Sequence, residues 1–109
     1  NLSVIGDNDE DMMLAAAHLR EIGGGYTLVS GGKIRYTVGL PIMGLMSDAG
    51  FDAVQSELAA MIAAAHEMGV PEGISPLILL SFLALPVIPS LRITPRGLFD
   101  VEQMKFIEV

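Results

Sequence analysis

Hydrophobic and polar positions form three stripes, in two rhythms, along the 109 residues. Met12, Ala15, Ala16, Leu19 and Ile22 recur at three- and four-residue steps, so they share one helical face. Asp7 and Glu10 stand at capping-box spacing before that stripe, and Gly23 is placed to end it in a left-handed conformation. Next, Ile34, Tyr36, Val38 and Leu40 alternate with Lys33, Arg35 and Thr37. With "YTLVS" ahead of Gly31-Gly32, this predicts a β-hairpin with one buried face and one wet, basic face. A third stripe runs through Phe51, Val54, Leu58, Met61, Ala65 and Met68. It predicts a helix of about five turns, capped by Ser47 or Asp48 and stopped by Gly69 and Pro71.

The remaining segments are shorter. "LSVI" (2–5) reads as a strand, and "LPIMGLMSDAG" (40–50) as a connector. "LRIT" and "GLFDV" flank Thr94-Pro95-Arg96-Gly97, which fits a type I turn, and "MKFIEV" adds a last strand. From Gly73 to Leu91 no side chain is charged. Pro86 and Pro89 break that run, so only "PLILLSFLAL" (76–85) can be regular, too short to cross a bilayer. Pro76 suits the first position of a short buried helix. The order of elements predicts an α+β fold, a two-layer sandwich with a mixed or antiparallel sheet and helices on one face. The whole chain, 1–109, is expected to be a single domain.

Composition sharpens this. Hydrophobic residues make up 51% and charged residues 17%, so an unusual share of the surface must be apolar. A formal charge of −7 with six basic residues argues against nucleic acid and against anionic membranes. The lack of cysteine excludes disulfide and thiolate chemistry and is consistent with a cytoplasmic location. No signal-peptide pattern is visible, and a start on Asn1 and a strand-like run suggests a piece of a longer chain.

The candidate chemistry is thin. "DNDEDM" (7–12) spaces acids as a calcium loop does, but the sixth and twelfth positions are Met12 and His18 instead of glycine and a bidentate acid. His18 and His66 lie near the ends of different helices, short of the three or more ligands of a metal centre. The glycines of "IGGGY" (22–26) follow a helix end, where a phosphate cradle would precede a helix start. Ser47, Ser75, Ser81 and Ser90 lack a nucleophile elbow. The residues alone thus support a packing or interaction domain, with a free-standing binding or oligomerisation module as one form of it.

Four stretches add a resemblance: "GDNDEDM" (6–12), "LPIMGLMSD" (40–48), "LSFLALPVIP" (80–89) and "ITPRGLFDV" (93–101). In this order and spacing the chain resembles, along essentially its whole length, the C-terminal domain of bacterial adenine deaminase, of the amidohydrolase superfamily. One departure is Gly31-Gly32, where Asp-Gly is the family's expected turn. The resemblance implies a parent enzyme that converts adenine and water to hypoxanthine and ammonia. It implies a binuclear divalent-metal site, manganese or iron, in a (β/α)₈ barrel that activates water, with an acid shuttling the proton. The family's metal and catalytic residues lie upstream, so no catalytic, cofactor-binding or metal residue is carried onto this chain. The barrel domain is the implied partner, the purine is the parent's substrate, and a homo-oligomer is a further option. Loop 40–48 is either an apolar connector or, through Gly44 and its apolar side chains, a contributor to the purine pocket.

Overall fold

The structure, a computed structural model, describes residues 2–83 and 85–108. Among them are helices α1 (Asp9–Ile22), α2 (Phe51–Glu67) and α3 (Pro76–Leu83). The strands are β1 (Gly25–Ser30), β2 (Lys33–Gly39), β3 (Leu91–Thr94), β4 (Gly97–Asp100) and β5 (Lys105–Phe106). The α+β class and the antiparallel pairing hold. The strands form two sheets, however, ordered β1-β2 and β3-β4-β5. They belong to two compact units, Val4–Ile74 and Ser75–Val109 with Asn1–Ser3. Ala84 of the expected apolar helix and Val109 of the expected last strand lie outside the described residues.

In the first unit α1 starts one residue later than the Asp7–Glu10 spacing suggests. Asn8 is the cap: its side-chain oxygen accepts from Asp11 N–H at 2.8 Å, and its amide donates to Asp11 Oδ2 at 3.2 Å. The first bond is the ordinary N-cap, and the second joins the cap side chain to the Asp11 carboxylate. Gly23 closes the helix at φ 84°, as expected. "LSVI" enters no strand; a lone extended segment has no ladder to hold it.

The hairpin turns at Gly31-Gly32, both with positive φ (61° and 70°), as a two-residue primed turn requires. Its register slips once. Leu28 faces Tyr36 and Val29 faces Ile34, so Arg35 is the extra residue of a bulge. That slip breaks the expected alternation and leaves Ile34 exposed. Thr37 also departs from its expected wet position: it is half-buried beneath α1.

Helices cover both faces of this hairpin. Thr27 and Thr37 stand opposite each other, and His18 of α1 reaches Thr37 at 3.0 Å. Tyr26 and Val38 point the other way, toward α2, where Tyr26 and Leu40 line a groove with Leu58. Val38, Leu40, Met61 and Ala65 form the core on that side, and Ala15 of α1 is buried as well. Val70 N–H donates to Ala65 O at 3.1 Å while Gly69 takes φ 107°, which ends α2 where Gly69 and Pro71 predict.

The hairpin turn is tied to α1 by a single carboxylate. Asp11 accepts from Gly32 N–H at 2.7 Å and Gly31 N–H at 2.9 Å. The Gly32 amide, then the Asn8 side chain and the Gly31 amide, hold its pKa below the ordinary 3.8. A lowered carboxylate pKa means stability fully present above pH 3.8 and lost as pH falls through the folded-state value. We expect Asp11→Asn to lower Tm by a few degrees at neutral pH. The gap between variant and wild type should narrow below pH 3.8 when Tm is followed against pH. A gap that widens in acid would refute the clamp.

In the second unit, Pro76 opens α3 as expected. None of the helix's described residues is buried, contrary to the expectation of a buried helix. The β3–β4 turn falls at Pro95-Arg96, where Thr94 Oγ1 donates to Gly97 O at 2.9 Å and accepts from Arg96 N–H at 3.2 Å. Phe99 and Phe106, cross-strand partners, meet edge-to-face at 5.1 Å, and Arg96 lies over the Phe106 ring at 5.0 Å. No helix among the described residues is long and apolar enough to cross a membrane.

Candidate functional site

Most of the polar candidates make local structural bonds. Asn8 and Asp11 of the acidic run cap α1 and hold the hairpin. His18 ends a directed chain: Thr27 Oγ1 donates to Tyr36 O at 3.1 Å, so Thr37 donates to Thr27 and His18 Nε2–H donates to Thr37. His66 Nδ1–H donates to Val70 O at 2.8 Å, where it supports the end of α2. Ser47 Oγ accepts from Ala49 N–H at 3.1 Å, Ser81 donates to Ile78 O at 2.7 Å, and Ser90 donates to Glu102 at 3.0 Å. Ser47 therefore makes a local turn and does not cap α2. The cap of that helix is Gly50, with no side-chain bond.

Among the described residues no group of three or more His, Cys, Asp or Glu could hold a metal. His18 commits a ring nitrogen to Thr37 of β2, and His66 commits one to Val70 O just beyond α2. Two separated histidines are short of the three or more ligands of a divalent metal centre among the described residues.

The distinctive surface of the first unit is apolar. Loop 40–48 folds back on itself: Ile42 N–H donates to Met46 O at 3.0 Å and Met46 N–H to Ile42 O at 3.2 Å. Gly44 packs against Gly24, close enough that a Cβ on Gly24 would lie 2.5 Å from Gly44 Cα. The loop's tip and the start of α2 border an open groove lined by Tyr26, Leu40, Leu45, Met46, Phe51 and Leu58. The third stripe of the sequence thus divides. Met61 and Ala65 are buried, while Phe51, Val54 and Leu58 line the groove, with Phe51 the most exposed of the three.

A family model described as "Adenine deaminase C-terminal domain" matches residues 1–105. The chain belongs to this family. Its relatives include the adenine deaminase of Desulfitobacterium hafniense (strain Y51), 55% identical over 107 residues, which cover 98% of this chain. The adenine deaminase of Bacillus subtilis (strain 168) is 41% identical over 109 residues, all of this chain. That of Leuconostoc mesenteroides subsp. mesenteroides is 51% identical over 110 aligned positions. The chain spans 19% of the length of each.

The family resemblance was legible in four linear motifs, of which "LSFLALPVIP" begins in the last residues of α3. "GDNDEDM" holds the Asn8 cap and the Asp11 clamp, "LPIMGLMSD" is the folded-back loop, and "ITPRGLFDV" is the β3–β4 turn. Sequence reading missed the pairing of Asp11 with Gly31 and Gly32, which lie 20 and 21 residues away. No spacing rule links an acid one turn into a helix to a distant hairpin.

Proposed function

We propose that residues 1–109 are a single C-terminal domain of a full-length adenine deaminase, and that the whole protein hydrolyses adenine to hypoxanthine and ammonia. The observation that carries this reading is the match of essentially the whole chain to relatives named adenine deaminase at 41–55% identity. Water supplies the oxygen that replaces the purine's exocyclic amine, which leaves as ammonia. The catalytic residues and the parent's divalent metal, manganese or iron, belong to the remainder of the enzyme. The support is that His18 and His66 each bond within their own unit, and that the histidines and acids gather into no ligand set among the described residues. Its own role is structural, through contact with that remainder. We place the whole enzyme in the cytoplasm, in keeping with a chain free of cysteine.

The test is adenine turnover by two preparations, the full-length enzyme and the 109-residue chain, each with manganese or iron added. Ammonia release is expected from the first and only background from the second. Turnover by the short chain, or none by the full-length enzyme, would refute the reading.

A further inference from the structure

The loop 40–48 and the first two turns of α2 present apolar side chains that nothing in their own unit covers. Met43 is 84% exposed, Phe51 79%, Leu45 73% and Met46 55%. A face this apolar marks a contact surface more often than a solvated one. It is also preformed. The Ile42–Met46 backbone bonds and the Gly24–Gly44 contact fix the loop. Met43 takes φ 58°, a conformation that side-chain-bearing residues adopt when the surroundings impose it. A rigid loop loses little entropy on docking.

Charge and tethering identify the occupant. Between Tyr36 and Leu91 the sequence has no lysine or arginine, while Asp48, Asp52 and Glu57 fall in the loop and the first turns of α2. A second copy, paired through the same face on both sides, would set these acids against themselves. The relatives carry about four-fifths of their length beyond the part this chain matches. A covalently joined segment meets this face at an effective concentration in the millimolar range, far above that of a separate protein.

We propose that loop 40–48 and the first two turns of α2 are the face by which this domain docks on the remainder of the adenine deaminase chain. The inference rests on the reading of the chain as a domain of that enzyme. The complementary surface is apolar with a basic rim, and Phe51 is the central anchor, because a large exposed aromatic at the edge of a groove fills a partner's pocket.

The experiment uses the full-length enzyme with a benzophenone amino acid in place of Phe51, and in a control in place of Met13, which is 73% exposed on α1. Illumination is expected to join position 51 to a segment of the same polypeptide outside these 109 residues, well above the yield at position 13. A yield no higher than the control, or a link between two polypeptides, overturns the proposal. A second measurement follows proteolysis of full-length Phe51→Asp. Cleavage within residues 40–58 should be roughly tenfold faster than in the wild type, and an unchanged rate counts against the docking face. Adenine turnover of the unmodified enzyme is measured separately, so failure of the deaminase reading shows there and not in the cross-link.

Discussion

Replacing Gly24 with alanine is expected to destabilise the Val4–Ile74 unit by about 3 kcal/mol or more. Two costs coincide at this residue. Its φ is 119°, a region that L side chains rarely adopt. The new Cβ would also lie 2.5 Å from Gly44 Cα, a backbone atom with no rotamer to swing away. The carbonyl of Gly24 accepts from Leu40 N–H at 3.1 Å, so a shift there pulls on the end of β2 and on the loop together. Gly32→Ala is the control. Gly32 has φ 70° and open space where a Cβ would stand, with no atom within 4 Å, so only the backbone cost of about 1–2 kcal/mol applies. Urea midpoints of the purified chains measure both, at constant m-value. If Gly24→Ala costs no more than Gly32→Ala, the close approach of the two glycines does not hold the loop.

The contrast between these glycines shows how much the sequence displays. Gly31-Gly32 between alternating runs announces a turn, and Gly23 after a periodic stripe announces a helix end, because each acts through its neighbours in the chain. Gly24 acts through Gly44, which follows the hairpin in the chain, and local spacing is silent about that. The same division runs through the rest of the unit. Both long helices and the hairpin were legible, since periods of 3.6 and 2 are local properties. The bulge at Arg35 was not, because it depends on how two strands settle against α1 and α2, and it turned Ile34 outward. Of the site, the sequence displayed the excess of apolar residues and the motif "GLMSD". It could not display which part of the α2 stripe finds cover, because covered and uncovered turns of a stripe have the same period. Nor could it show that α3, uncharged throughout, would bury none of its described residues.

That uncovered stripe leads to the second large effect. Met61→Ala is expected to cost about 2–5 kcal/mol, since Met61 is 1% exposed and, with Val38, is one of the two largest fully buried side chains. Truncation removes a flexible filler and leaves a cavity between α2 and the hairpin, and Met61→Leu should recover most of the loss because volume is kept. Phe51→Ala, ten residues earlier on the same stripe, should change the stability of the purified chain by less than about 0.5 kcal/mol, because little of that ring is withdrawn from water. Urea unfolding of the three variants distinguishes the two ends of the helix. Equal losses at Met61 and Phe51 would mean that the stripe is one continuous core and that the groove has no vacancy for a partner. Unequal losses assign the last turns of α2 to the domain's own stability. They leave the first turns, with Phe51 and the loop before it, to whatever the domain is built against.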